Sequence, residues 1–498
     1  MLSLKTSLRS NLQPTTYKLL EQIPQRKFTQ WLDLAEDPDH IVPLIKKFVQ
    51  EKQGTWDRLL CLGMGGSALG IVTLQKALFP FDQRLKVLDN LDSNTINHEL
   101  STINPERTLV LVISKSGTTL ETMTQYEILK EKYSDEQYKN NFIIITDPKE
   151  GKLREIAERD QLTSFPIPPE AGGRFSVLSS VGLLPFALLG GNIDELLDGA
   201  KQMKERCLEQ TEENPALQLA SITHTESEDR HPRPTRSPES EVGEPRPSSG
   251  EDIHPRLQKK NILSMLIYDD QLSALGFWYQ QLLAESIGKT REVGITPLPL
   301  RGASDQHSVL QLLQDGPNDK INLFIEVLNP HVDVLVPNSK LKVHNILRAE
   351  LNATEQALRE DGRPTIILQV PELSAHTLGE LFMLFQMQIA VLGELYEIDA
   401  FNQPGVEKSK KIVKELLKAN GSKKHTFDKP IQGNGRNQKG QDSNKNRIPG
   451  FFSEQVNPRE YQHQNKDLSQ FNSDVKSQQG TDKPVIRYLK AFQQSSKP

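Results

Sequence analysis

Four short apolar runs in the first half of the chain, Arg58–Leu62, Leu85–Leu88, Thr108–Ile113 and Phe142–Thr146, restrict the fold more than any other feature. Helical patterns separate them, for example at residues 120–133 and 149–160. A run of four to six apolar residues reads as a strand buried on both faces. Alternation of such strands with helices predicts a parallel sheet covered by helices on both sides. Ligands of such sheets bind beyond the carboxyl ends of the strands, so the loops after these runs are where chemistry is expected.

A second block with the same rhythm runs from about Asn261 to Leu417. Its strand candidates are residues 262–268, 321–328 and Thr365–Val370, and its helices include 272–286 and 376–396. With 498 residues the chain can build two such cores. The reading is therefore an α/β protein with two parallel sheets, each flanked by helices. Residues 1–40 form an N-terminal helical segment, 41–215 the first α/β domain and 260–417 the second. Between them, residues 221–258 carry Pro232, Pro234, Pro238, Pro245 and Pro247 with mixed charges, and are expected to be a disordered insertion. Residues 420–498, rich in Asn, Gln, Lys, Ser and Gly, are expected to be a largely disordered tail with a short docking helix near residues 485–492.

The charge balance, −5, is too mild to point to nucleic acid or an anionic membrane. Two cysteines, Cys61 and Cys207, make no disulfide framework and fit a reducing cytoplasm. The first ten residues lack the apolar core of a secretory signal; their Arg, Lys and Ser without acid are only a faint match to a transit peptide. The most apolar helical stretch, residues 382–395, reads as too short for a bilayer and as a buried core helix.

Several loops carry candidate chemistry. After the third run, Ser114, Lys115, Ser116, Thr118 and Thr119 surround Gly117 just before Glu121. A strand-to-helix turn of this kind offers hydroxyls, backbone N–H groups and a positive helix end together, which suits a phosphate monoester. An ordinary Ser/Thr-capped helix start is the plain alternative. After the first run, Gly63-Met64-Gly65-Gly66-Ser67-Ala68 satisfies a dinucleotide fingerprint, with Asp89 at a plausible ribose distance, so a dehydrogenase competes. Against it, Ser67 puts a hydroxyl at the closest approach to a ligand, and a second cradle after the third run is one more than a dinucleotide fold needs. Gly172-Gly173-Arg174 lets a permanently charged guanidinium reach into a pocket, where it can stabilise an oxyanion, or marks a turn with a surface arginine. Glu285 ends an apolar helix that opens into a Gly- and Pro-rich loop over residues 287–303. His307 starts a helix, and Lys410 follows Gln403-Pro404-Gly405. Taken singly, each of these three is more often a surface or structural residue.

The motifs Gly63 to Ser67, Ser114 to Thr119, Gly172 to Ser176, Gln281 to Lys289, Asp305-Gln306-His307 and Gln403 to Lys410 resemble, in order and rough spacing, those of the phosphoglucose isomerase family, above all its bacterial-type members. The resemblance covers about residues 40–215 and 260–415. It implies two sugar-isomerase (SIS) domains and conversion of glucose 6-phosphate to fructose 6-phosphate through a cis-enediol. By position, Gly66, Ser67, Ser114, Lys115, Ser116 and Thr119 resemble the residues that hold the sugar phosphate. Gln281 and Gln403 resemble ligand-contacting glutamines, and Glu121 a further active-site glutamate. Glu285 resembles the base, Arg174 the arginine that steadies the enediolate, and His307 and Lys410 the ring-opening pair. The chemistry implied uses no metal and no cofactor, since hydrogen leaves and returns within one substrate. The resemblance also implies a homodimer in which His307 reaches the neighbouring subunit's site. A non-catalytic sugar-phosphate sensor and a dual glucose/mannose phosphate isomerase are the other readings. Retention of Glu285, His307, Lys410 and Arg174 together argues against the sensor.

Overall fold

The four runs form four adjacent strands in a computed structural model that describes residues 1–228, except 9, 11 and 13, and residues 259–421, with side chains to 417. In chain order the strands are β1 (Ser3–Lys5), β2 (Arg58–Leu62), β3 (Leu85–Leu88), β4 (Thr108–Ile113), β5 (Phe142–Thr146), β6 (Thr163–Pro166), β7 (Ile262–Ile267), β8 (Thr296–Arg301), β9 (Lys320–Val327) and β10 (Thr365–Val370). The first sheet has the order β3-β2-β4-β5-β6 and is parallel throughout. The second has the order β1-β10-β9-β7-β8; it is parallel except that β1 pairs antiparallel with β10. This is the expected α/β architecture of two parallel sheets flanked by helices.

The period of two in each strand divides the core. Leu59 and Cys61 of β2 and Leu109, Leu111 and Ile113 of β4 share one apolar cluster with Leu263, Met265 and Ile267 of β7. Their neighbours Leu60, Leu62, Val110 and Val112 face the other way, onto Met123, Tyr126 and Leu129 of the helix Leu120–Lys130. In the second sheet Leu266 and Phe324 face out onto Leu351 and Leu358 of the helix Val343–Glu360. Each such side chain contributes roughly 1.5–3 kcal/mol when fully buried. Runs apolar on both faces therefore stand where a strand has helices on both sides.

The helix Ala375–Leu395 belongs to the cluster that both sheets share, and all its residues except His376 and Leu395 are buried. The expectation that this stretch is too short for a bilayer is corrected: its 21 residues suffice in length and apolarity. It is nonetheless a core helix, as expected, because protein surrounds it. Helices Ile193–Leu208 and Pro215–Ser227 pack against it.

That packing corrects a second expectation. Residues 221–227 are the last two turns of a helix, not the start of a disordered insertion. Asn214 caps the helix by accepting from the backbone N–H of Ala216 and Leu217, and Pro215 stands at its first turn. Leu219 and Ile222 are buried, and so are the polar Thr223 and Ser227, so polar sequence here is still part of the packed helix. The rest of the expected insertion, the tail beyond Gly421 and the expected docking helix at 485–492 lie outside the described residues. The N-terminal segment is likewise not all helix. Its β1 strand joins the second sheet, Pro14–Gln22 is helical, and short 3-10 turns follow.

Three strands were not foreseen, β1, β6 and β8, and all three are sheet edges. These three edges escape the apolar-run signature because polar residues and prolines are tolerated in them, whereas the remaining edge, β3, keeps an apolar run. β8, Thr-Pro-Leu-Pro-Leu-Arg, even accommodates two prolines, whose missing N–H groups are tolerated on an open edge.

Candidate active site

The loops that leave the carboxyl ends of β2 and β4 meet the Gly172–Arg174 turn and the end of helix Ala274–Ile287 around one cleft of about 1100 Å³. The glycines set how closely these segments approach. A Cβ on Gly66 would lie 2.1 Å from the carbonyl oxygen of Gly173, so the two loops touch backbone to backbone. Gly117 has φ +63°, and a Cβ there would lie 2.7 Å from the backbone nitrogen of Leu153. The turn from β4 into its helix therefore needs glycine on both counts.

The Ser114–Thr119 turn forms the hydroxyl-lined end of the cleft. Ser114 and Thr119 share a hydroxyl hydrogen bond of 2.8 Å. Thr118 donates to the Ser116 Oγ from both its backbone nitrogen (3.3 Å) and its hydroxyl (3.2 Å). Lys115 is engaged otherwise. Its Nζ donates to the carbonyls of Pro169 (2.5 Å) and Ala171 (3.0 Å) and lies 5.4 Å from the centre of the Phe28 ring. Burial lowers its pKa, with Asp147 and Glu170 opposing. Lys115 thus lines the cleft while tying the cradle to the 168–171 turn.

The other end of the cleft is organised by two cations. Arg174, with 2% of its side chain exposed, donates from Nε to Ser286 Oγ (2.7 Å) and from one terminal nitrogen to the carbonyls of Ala400 (2.5 Å) and Asn402 (3.1 Å). Its other terminal nitrogen lies 3.6 Å from the Glu285 carboxylate and 3.5 Å from Gln403 Oε1. Burial lowers its pKa to about 10, against the pull of Glu285 and Asp399. It remains fully charged at neutral pH. Glu285 keeps 30% of its side chain exposed and accepts from Gln281 Nε2 at 3.1 Å. The Gln281 Oε1 is buried without a hydrogen-bond partner. Lys289 is the second cation. It donates to the carbonyl of Glu285 at 2.6 Å and to that of Asn402. Burial, then repulsion from Arg174, lowers its pKa to about 8, opposed by Asp399 and Glu285. Asp399 shapes the loop it precedes, accepting from the backbone of Phe401 (2.9 Å) and from Asn402 Nδ2 (2.8 Å).

A cleft with a hydroxyl cradle at one end, and at the other a carboxylate beside a buried arginine, can hold a phosphate monoester while a proton moves between carbons. The family model described as phosphoglucose isomerase matches residues 47–227 and 256–433. The chain belongs to the phosphoglucose isomerase family. Over 404 residues it is 34% identical to a glucose-6-phosphate isomerase of Thermus thermophilus, covering 78% of this chain and 89% of that one. Over 375 residues it is 37% identical to the glucose-6-phosphate isomerase of Rubrobacter xylanophilus, covering 70% and 80%. A solved structure of a hypothetical protein from Thermus thermophilus matches with a TM-score of 0.72 at 32% identity, covering 81% of this chain and 95% of that chain. A glucose-6-phosphate isomerase structure from Chlamydia trachomatis matches in fold, with a TM-score of 0.63 at 22% identity, covering 83% and 80%.

Measured against the motifs of the phosphoglucose isomerase family, the cleft brings together Gly66, Ser67, Ser114, Lys115, Ser116, Thr119, Arg174, Gln281, Glu285, Gln403 and Lys410. Lys410 is exposed and pairs with Glu407 at 2.8 Å. Two of the predicted residues do not line it, Glu121 and His307. Glu121 lies in the first turn of helix Leu120–Lys130, just past the cradle. His307 is exposed on helix Gln306–Gln314, which follows the edge strand β8; its neighbour Gln306 takes the inward position, donating to Tyr268 Oη (2.5 Å) and Thr354 Oγ1 (2.8 Å). The structure also adds residues that sequence reasoning missed. Phe28 lines the cleft with φ +64°, a left-handed conformation held by a 3.0 Å bond from its nitrogen to Glu170. No motif marks Phe28, and it precedes the family-matched segments. Lys289 was visible as the last residue of the Gln281 to Lys289 motif, but nothing in the sequence tells that it reaches back to Glu285.

Proposed function

We propose that the cleft interconverts glucose 6-phosphate and fructose 6-phosphate through a cis-enediol, with Glu285 as the base. The observation that carries this reading is the Glu285 carboxylate, partly open to the cleft, 3.6 Å from the buried Arg174 and 3.1 Å from Gln281. Membership of the phosphoglucose isomerase family supports it. In the open-chain aldose the C2 proton is acidic because C1 is a carbonyl. Glu285 takes that proton, the C2–H electrons form the C1–C2 double bond, and the C1 oxygen takes up the negative charge. The C2 hydroxyl proton passes to the C1 oxygen, and the protonated Glu285 returns its proton to C1 as the C2 oxygen becomes the carbonyl, which leaves C1 as CH2–OH and Glu285 as the carboxylate it began as. Arg174 stabilises the charge that appears between these steps. The Ser114–Thr119 turn, with Gly66 and Ser67, holds the phosphate, and Gln281 and Gln403 contact the sugar hydroxyls. Glu121 supports the cradle from just behind it.

Ring opening is assigned to Lys410 and His307. Because His307 is exposed away from its own cleft, we assign it to the cleft of a second copy, which makes the working enzyme a homodimer. We take the two sheets with their helices as SIS-type domains, with the first ending after Ser227, and the cytoplasm as the compartment. No cofactor enters this scheme.

The test is a coupled assay of fructose 6-phosphate conversion, without added metal, on wild type and Glu285→Gln. The variant should lose at least about 10³-fold in kcat, within the range of general-base catalysis, and still be inhibited by inorganic phosphate. Wild-type turnover in Glu285→Gln would refute the assignment of the base.

A further inference from the structure

Lys289 stands where two parts of the proposed site must keep register. Glu285 is carried by the last turn of helix Ala274–Ile287. Gln403 and Lys410 are carried by the segment that follows Asp399, more than a hundred residues later. The Lys289 Nζ bonds both sides, donating to the carbonyl of Glu285 at 2.6 Å and to the carbonyl of Asn402. The Asn402 carbonyl also accepts from Arg174 at 3.1 Å. One loop carbonyl is thus shared by the guanidinium beside the carboxylate and by an ammonium anchored to that carboxylate's own backbone. Lys289 does not line the cleft, so it does not meet substrate directly.

We propose that Lys289 is a positioning residue for the isomerisation, fixing the Glu285 helix end against the loop that carries Gln403 and leads to Lys410. The inference rests on the reading of Glu285 as the base. A charged donor holds carbonyls more strongly than a neutral amine does, so the clamp is strongest while the ammonium keeps its proton. The groups that face it are Arg174, which disfavours the charge, and Asp399 and Glu285, which favour it; burial is the largest influence. The ammonium loses its proton as the pH rises through about 8. An arginine at the same place would keep its charge well above that.

The test uses the full chain as Lys289→Met and Lys289→Arg beside wild type and Glu285→Gln. Readouts are kcat and KM for fructose 6-phosphate from about pH 6.5 to 9.5, inhibition by inorganic phosphate, and melting temperature. A misplacement of about 1 Å costs on the order of 10²-fold in rate. Lys289→Met should therefore lower kcat about 10- to 100-fold at neutral pH, with phosphate inhibition changed less than about 2-fold because the cradle is built elsewhere. Lys289→Arg should recover most of the loss and carry activity to higher pH than wild type. Wild-type kcat and pH profile in Lys289→Met would overturn the proposal. So would a parallel loss of kcat, phosphate inhibition and melting temperature that arginine does not repair, since that is general damage to the fold. If Glu285→Gln loses turnover while Lys289→Met does not, this inference alone fails. If Glu285→Gln keeps turnover, the base assignment fails and takes this inference with it.

Discussion

Substitution of Gly66 by alanine, in the proposed phosphate-holding loop, tests the geometry of the cleft without removing any of the proposed proton-transfer groups. The added methyl would lie 2.1 Å from the Gly173 oxygen, 2.4 Å from the Gly173 carbon and 2.8 Å from the Arg174 nitrogen. Ordinary contacts for such an atom begin near 3.4 Å, so the Gly172–Arg174 turn must retreat by 3.4 − 2.1 = 1.3 Å. All three atoms are backbone, so no side-chain rotation relieves the clash. Arg174 is held by Ser286, Ala400 and Asn402 and cannot follow freely. Overpacking of this kind costs about 1–3 kcal/mol of stability, and a shift of about 1 Å at an oriented group costs on the order of 10²-fold in rate. Gly173→Ala is the control for the fold. Its Cβ meets nothing within 4 Å, so its stability should stay within about 0.5 kcal/mol of wild type. Denaturant unfolding and steady-state kinetics of Gly66→Ala read the two effects separately. Wild-type stability together with wild-type kcat in that variant would refute the argument that backbone contact sets the arginine's position.

Two further substitutions probe other parts of the molecule. Ser114→Ala removes the buried hydroxyl paired with Thr119; losing one hydrogen bond to a charged group, about 1.5–3 kcal/mol, should lower kcat/KM about 10- to 100-fold, chiefly through KM, and steady-state kinetics with fructose 6-phosphate check this. Asp160, bonded to Arg159 at 2.7 Å and to Tyr138 at 2.8 Å, has its pKa lowered from 3.8 to about 2, first by the Arg159 hydrogen bond. A depressed carboxylate stabilises the fold above its unfolded pKa and loses that contribution as the pH falls through its folded value. Asp160→Asn should therefore be less stable than wild type by about 1 kcal/mol at pH 7, Arg159 being mostly exposed, and the gap should close as the pH falls from about 4 towards 2. Urea titrations across that range measure it.

What the sequence discloses depends on burial. β2, β4 and β5 have neighbours on both sides and helices on both faces, so nearly every residue must be apolar and the run is visible. β6 and β8 are edges; Ser164 and Pro166, or Pro297 and Pro299, are tolerated there, and the pattern dissolves into what looks like a loop. The site divides in the same way. Ser114, Gly117 and Thr119 lie within six residues, so local geometry fixes their relation and the cradle can be read from the chain. The relation of Arg174 to Glu285 or of Lys289 to Asn402 spans more than a hundred residues and comes from packing across the shared core. Only the likeness to a family linked those segments in advance. What that likeness does not tell is that Lys115, while lining the cleft, also donates to the Pro169 and Ala171 carbonyls.

The long-range part of the site also has an electrostatic logic. Arg174 and Lys289 are two positive charges, and Glu285 and Asp399 are two negative ones that act on both, across the end of one helix and one loop. In the resting site these charges balance. In the reaction we propose, Glu285 becomes neutral on taking the C2 proton, and the negative charge it held passes to the enediolate oxygen. The two cations and Asp399 then leave one positive charge opposite that oxygen, so the balance is kept without any group having to arrive from solvent. Arg174 is already fixed by Ser286, Ala400 and Asn402 before substrate binds, and donors fixed in advance stabilise a developing charge without reorganising when it forms. The second cation, Lys289, donates to the Glu285 and Asn402 carbonyls behind the carboxylate, so on the proposed scheme Arg174, 3.6 Å from Glu285, is the cation left to face the charge that forms.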